Sequence, residues 1–405
     1  MVQYVNRSSR EGAGCAAFLV VCFVIPCGRL LATEKLPDYD QKTVRSSIAM
    51  VGVDGGSFSR RHYEPALLRP LYWPDHEAEV SPFWVGKYEC TFQEFREWVM
   101  EWPSRDKPTS PAQEKAREVI DLEQELLARD CGGPSWNNSV QESSGNGNHP
   151  ALGMKQWAAK RYCHWLSILT GRFYRLPTEA EWEFACLADI KDAESGRRPD
   201  TRAYPWGWDV DEIDTYAVTG LNMRVAKVAV VGSKKPNAWG IHDMIGNVEE
   251  WVADGYAVPE TRPRPRQSDP IVWPASKHLS QDAAKIWKEF KDAGQRYCDG
   301  WGVAKGGSYN SVRSQQPAAF TVAARTDPER HWHDWEDPYK LPQDNCGRSL
   351  EGTVSLSIGF RIARPLTVPD RKFQLWHWGI YFDHDKWQHL TLEPTAPPAE
   401  SKPRE

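Results

Sequence analysis

Apolar residues in this chain come in short bursts broken by turn formers, and few stretches hold one period for long. VGVDGGSFSR (51–60) reads as a strand running into a Gly-Gly turn. EVSPFWVGKYECTFQEFREWV (79–99) reads as a strand and then a helix. Thr91 and Glu94 open that helix as a capping box, and Phe95, Trp98 and Val99 make one face apolar. The strongest helical period is in MKQWAAKRYCHWLSILTG (154–171). There Ala158, Tyr162, Trp165, Leu166 and Leu169 share a face, and Gly171 supplies the stop. RLPTEAEWEFAC (175–186) follows, with Thr178 and Glu181 as a second capping box.

The remaining pattern is weaker. Residues 102–148 read as an insertion whose middle, 113–130, has helical spacing at Val119, Ile120, Leu126 and Leu127. QDAAKIWKEFKDA (281–293) predicts a short helix and SIGFRIARPL (357–366) a strand. FQLWHWGIYFDHD (373–385) alternates like a strand. Residues 257–280 are Pro-rich and 327–352 polar, so both read as loops. The composition of 393–405 predicts disorder within an extension that starts at 367. No internal repeat is visible.

Composition sharpens this picture. Twenty Trp, 29 Gly and 30 Pro point to a loop-rich globule built on aromatic clusters. A net charge of -5, with no basic run, gives no electrostatic case for nucleic acid or for a membrane-surface patch. Arg7 and Arg10 precede an apolar run, CAAFLVVCFVIPCG (15–28), and Ala32 follows as a cleavage position. Residues 1–32 therefore read as a signal peptide, placing the protein outside the cell, in a periplasm or at the envelope. The run is short of the ~20 apolar residues of a comfortable span, so no membrane span is expected in the mature chain. Pro26 before Cys27 fits a lipid-anchor reading poorly. Beyond the leader lie Cys90, Cys131, Cys163, Cys186, Cys298 and Cys346. They allow up to three disulfides of open pairing, and no CxxC points to a zinc ribbon.

Candidate chemistry is sparse. KGGSYNSVRSQQ (305–316) opens with a tight turn but holds no strong nucleophile, acid or base. Ser308 has no G-x-S-x-G elbow or positioned His and reads as a structural residue. His331, His333 and Asp334 have metal-like spacing, as do His384, Asp385 and His389. Without a further ligand both groups read as solvated segments. The many Trp could form a glycan or peptide platform, although Trp more often builds core.

The order of motifs resembles the formylglycine-generating enzyme, or sulfatase-modifying factor, family. VGVDGGSF, SPFWVGKYECTFQEF, HPALGMKQWAAKRYCHW, RLPTEAEWEFA, YPWG, NAWGIHDMIGNVEEW, KGGSY and GFRIARP carry the likeness across about 47–366. The resemblance implies one α+β, loop-rich mixed domain related to the C-type lectin-like fold. It also implies two copper-binding cysteines in GGS-x-x-C-x-x-x-x-C that oxidise a substrate cysteine to an aldehyde. Laid on this chain from Gly306, those positions are Ser311 and Gln316. A hydroxyl and an amide are poor ligands for Cu(I), which favours thiolate or thioether, so copper is not expected. The resemblance further implies a calcium loop whose ligands fall on Asp243, Gly246, Val248 and Glu250. A second calcium loop is not recognisable, since Val218 stands where an Asn ligand is expected. The family's disulfide positions include Cys163 and Cys186, but the partner positions near Val322 and at Ile362 hold no thiol. The expectation is therefore a calcium-stabilised module without the oxidase chemistry. Its pocket at Gly306, Gly307, Ser308, Ser311, Arg313 and Gln316 would hold a peptide or glycan. The alternative is an oxidoreductase with a non-cysteine metal site, or one that still forms formylglycine.

Overall fold

The computed structural model describes residues 35–60, 63–64, 71–72, 76–98, 108–130, 147–154, 156–188, 204–207, 209–219, 227–255, 267–269, 302–309, 325–326, 357–380 and 384–395. The chain separates into Met1–Glu34 and Lys35–Glu405, and all described residues lie in the second unit. The predicted leader, the 281–293 helix, the His331 group and the tail beyond 395 fall outside the described residues.

The strands in chain order are β1 (Tyr39–Lys42), β2 (Ser47–Val53), β3 (Gly56–Arg60), β4 (Tyr63–Glu64), β5 (Leu71–Tyr72), β6 (His76–Val80) and β7 (Phe83–Gly86). They continue as β8 (Glu249–Gly255), β9 (Gln267–Ser268), β10 (Gly302–Lys305), β11 (Arg325–Thr326), β12 (Ile358–Phe360) and β13 (Ala363–Pro365). The helices are α1 (Phe92–Arg96), α2 (Pro111–Asp130), α3 (Gln156–Thr170), α4 (Glu179–Leu187), α5 (Ile213–Tyr216), α6 (Arg371–His377) and α7 (His384–Trp387). Short strands and helices are mixed without a βαβ rhythm, which is an α+β architecture. One sheet runs β1-β2-β7-β13 and is antiparallel throughout. A second runs β11-β10-β8-β12, with β12 parallel to β8. A third, β3-β6-β9, is smaller.

The predicted strand at 357–366 is two strands in two sheets. Ile358–Phe360 pairs with β8 and Ala363–Pro365 with β7. The chain changes sheet at Arg361 and Ile362, where the Ile362 carbonyl accepts the Gly86 amide at 2.8 Å. Both capping boxes are present, at Thr91 with Glu94 and at Thr178 with Glu181. Gly171 ends α3 with φ +67°.

Helix α3 departs from its one-faced pattern. Its polar positions Gln156, Lys160, Arg161, His164 and Ser167 are buried with the apolar ones. The insertion helix α2 packs on it through Ala116, Val119 and Ile120, and Leu375, Trp378, Trp387 and Leu390 of the C-terminal segment join the same core. Those additions turn an amphipathic helix into a central one. The reading of 373–385 as a strand is corrected: Arg371–His377 is helical. Asp370 caps it by accepting the Phe373 amide at 3.1 Å, and Gly379 follows at φ +74°. A Trp-His-Trp run of this length satisfies either period, and the local cap selects the helix.

Candidate functional site

Strand β10 delivers Lys305 into the interior, 1 % exposed. Its ammonium lies 2.8 Å from Glu183 and 3.4 Å from Glu179, both on α4. Arg60 from β3 reaches the same carboxylates at 2.5 and 3.4 Å. Two cations and two carboxylates thus balance one another beneath the turn that follows. Asp254 accepts the Glu179 amide at 2.7 Å and ties β8 to the start of α4.

In that turn Gly306 and Gly307 take φ of +94° and +65°. A Cβ on Gly306 would stand 2.9 Å from the Met244 carbonyl and 3.3 Å from the Trp182 ring. The glycine is required by close approach as well as by conformation. Ser308 is buried, and the Tyr309 amide donates to the Asn247 carbonyl at 2.9 Å. Ser311, Arg313 and Gln316 lie outside the described residues.

The loop that meets this turn holds the other candidate residues. Asp243 and Asn247 both sit at φ +54° and Gly246 at +79°. A Cβ on Gly246 would lie 2.5 Å from the Val218 carbonyl. Asp243 Oδ2 accepts the Gly232 amide at 2.5 Å, while its buried Oδ1 has no partner. The Asn247 amide group donates to Glu89 at 2.7 Å, and Glu89 also accepts the Val248 amide at 3.1 Å. Glu250 receives Arg361 Nε at 2.5 Å, a second bond from Arg361 Nη2, and Trp182 Nε1 at 2.8 Å. Arg361 also donates to the carbonyls of Gly86, His242 and Asp243.

Glu89, Asp243 and Glu250 therefore gather around one guanidinium in a buried place. Burial pushes both Glu89 and Asp243 above the usual carboxylate range. For Glu89 the neighbouring Asp243 and Glu250 add to this, and Arg361 opposes it. Excess buried negative charge with one unused carboxylate oxygen suits a hard cation. Among the described residues no three His, Cys, Asp or Glu side chains are grouped to hold a metal. A cation here would thus depend on backbone carbonyls beside Asp243. Sequence reasoning named Asp243, Gly246, Val248 and Glu250 through the resemblance; it did not name Glu89 and Arg361, which the structure places beside them. Their signal was slight, a lone acid before Cys90 and the Arg of GFR, and only tertiary contact joins them.

The match to the sulfatase-modifying factor enzyme 1-like domain spans residues 35–365. The chain belongs to this family. A serine/threonine-protein kinase pkn1 of Chlamydia pneumoniae is 25 % identical over 243 residues, covering 60 % of this chain and 33 % of the kinase. The formylglycine-generating enzyme of Mus musculus is 28 % identical over 236 residues, covering 52 % and 59 %. The inactive C-alpha-formylglycine-generating enzyme 2 of Bos taurus is 27 % identical over 238 residues, covering 52 % and 72 %. The chain spans about a third of the length of the first of these relatives.

For the copper chemistry that the resemblance implies, the donor set matters. Cys90, Cys163 and Cys186 are free, buried thiols. Burial pushes each above the ordinary thiol range, which favours the protonated thiol. Cys163 and Cys186 are thus buried small residues rather than halves of a bridge. Cys131, Cys298 and Cys346 lie outside the described residues. Ser311 and Gln316, at the positions that match the family's cysteines, do not fit Cu(I). His389 pairs with Glu118 at 2.6 Å, and Asp385 accepts from Gln388 at 3.2 Å. These two face local partners rather than converging on a common point. Trp165, Trp182, Trp251, Trp378 and Trp387 are fully buried core. Trp206 stacks within the chain on Tyr204 and Tyr216. Among the described residues no helix is long and apolar enough to cross a membrane.

Proposed function

We propose that this family member is a secreted binding module, stabilised by calcium, that does not perform copper-cysteine oxidation. The observation that carries the reading is the donor set: Ser311 and Gln316 stand where the family pattern requires two thiolates. The described cysteines are buried, with thiols pushed up by burial, and offer no substitute. The scaffold beneath the pocket remains built, from the Lys305 quartet to the Gly306–Gly307 turn. One mammalian relative is itself named inactive, so loss of the activity within this fold has a precedent. The pocket from Gly306, Gly307 and Ser308 to Ser311, Arg313 and Gln316 would take a peptide or glycan, with Arg313 as its charged contact.

Calcium would draw on Asp243 Oδ1, the one carboxylate oxygen left without a partner in the loop, and on the Gly246 and Val248 carbonyls. Glu250 would serve mainly by charge, since Arg361 and Trp182 already occupy its oxygens. The ion would offset the excess negative charge shared by Glu89, Asp243 and Glu250.

The deciding assay incubates the purified protein with copper, oxygen and a cysteine-containing sulfatase-type peptide. No aldehyde is expected by mass spectrometry, and robust aldehyde formation overturns the reading. A parallel glycan and peptide array, run with wild type and Arg313→Ala, should show a signal that the variant loses.

A further inference from the structure

The C-terminal residues 366–380 and 384–395 lie beyond the family match and are tied together as a strap. The Gln374 side chain donates to the Pro369 and Leu392 carbonyls and accepts the Leu392 amide, each at 2.8 Å. The Thr395 amide closes the ends by donating to the Val368 carbonyl at 3.0 Å. Where the strap sits on α3, two of its Trp rings gather around one imidazole. Trp378 stacks on His164 at 4.2 Å and 17°, and Trp387 lies 5.7 Å from the same ring. His164 Nε2 donates to the Leu390 carbonyl at 2.9 Å. The ring is fully buried.

We propose that the strap is an acid-released latch whose key is His164. A proton on this ring would place an imidazolium in a dry, aromatic pocket one turn from Arg161, whose guanidinium already lies 4.9 Å from Trp387. Of the charged groups near His164, Arg161 shares the Trp387 ring with it, Lys160 on the same helix donates to Gln156 and the Ala253 carbonyl, and the Glu118–His389 pair joins α2 to the strap. A second histidine, His377, lies on the strap helix against Phe173. It keeps an edge at the surface while its Nδ1 is enclosed. Burial, with Arg175 and Lys160 nearby, holds it well below the ordinary histidine range.

The sign follows from where protons bind. The released strap lets the rings take up protons below about pH 6.5, and the seated strap resists this, so seating weakens as pH falls. A ring that stays unprotonated while the strap is seated raises the opening constant by at most about 30-fold between pH 7.5 and 5, and two such rings by at most about a thousandfold.

Hydrogen–deuterium exchange on the full chain at pH 7.5 and 5.0, corrected for intrinsic exchange rates, reads the opening directly. Amides of 374–380 and 384–392 should lose protection at pH 5, by up to about 30-fold for each ring that titrates, while those of α4 and β8 keep theirs. His164→Gln retains a donor for Leu390 but cannot titrate, and it should remove the His164 share of the change, leaving only that of His377. Equal strap protection at both pH values overturns the proposal, as does an unchanged pH response in His164→Gln. Should that variant fail to fold, imidazole NMR of the wild type decides. Protonation of His164 that coincides with strap opening supports the latch, and protonation near pH 6.5 with the strap still protected overturns it.

Discussion

The amide of Gly246 donates to the carbonyl of Gly306 at 3.0 Å, joining the Asp243 loop to the Gly-Gly-Ser turn backbone to backbone. Tyr309 and Asn247 repeat the link one step on, at 2.9 Å. The two candidate sites therefore form one unit, in which the shape of either depends on the other. Both glycines hold φ values that side chains rarely adopt, and both face a carbonyl where a Cβ would be.

Gly246→Ala should accordingly destabilise the fold by well over ~2 kcal/mol, since left-handed strain adds to a 2.5 Å clash with Val218. Gly171→Ala is the internal control. It has φ +67° but nothing within 4 Å of the new Cβ, so only the strain of about 1–2 kcal/mol remains. Denaturant unfolding of the two variants should separate them clearly. Equal losses would show that the approach to Val218 is relaxed in solution.

The Arg361–Glu250 pair makes a second test. Arg361→Met leaves Glu250 buried without its guanidinium and frees three carbonyl contacts, which should cost about 3–5 kcal/mol. The double variant Arg361→Met with Glu250→Gln should recover part of that loss, because Glu250 no longer leaves an unpaired charge inside. Thermal unfolding of wild type, single and double variants gives the coupling. A double variant no better than Arg361→Met would mean that the carbonyl contacts, not the charge pair, carry the stability.

Much of this fold was legible in short local signals. Thr91 with Glu94 and Thr178 with Glu181 are spacing rules that need no tertiary information, and both helices start there. The covering of α3 was not legible, because nothing in its own period announces that a remote segment will bury Lys160, Arg161 and His164. The same limit hid Glu89, which is 161 residues from its neighbour Glu250 by numbering and meets it only through Arg361 and Asn247. The glycine turn was readable because Gly306 and Gly307 serve the backbone, and both take positive φ. Ser311 and Gln316, at the positions the resemblance gives to cysteines, are known from residue identity alone.

Calcium provides a third test. If the Asp243 loop binds the ion, a hundredfold excess over Kd should stabilise the protein by about 2.7 kcal/mol, raising Tm, and a chelator should reverse this. Asp243→Ala removes the unpartnered Oδ1 and the acceptor of the Gly232 amide, so it should lose the calcium response. Magnesium, which favours a smaller octahedral site, should stabilise less. An identical Tm with calcium and with chelator would remove calcium from the account.

Glu94 offers a pH test of the scaffold. Burial pushes its carboxyl from the ordinary 4.5 up to about 7, although the Thr91 amide opposes this by donating to it at 2.8 Å. Between those values the folded protein holds a proton that the unfolded chain releases. Stability from this group is therefore full below about pH 4.5 and is lost as pH rises through 7, by about 3 kcal/mol in all. Glu94→Gln keeps the acceptor that completes the capping box with Thr91 and removes the titration. Unfolding free energies should show the variant gaining on wild type from about pH 5 to 7 and the difference levelling off above that. A constant difference across that range would place the Glu94 proton equilibrium outside the folded-state ledger.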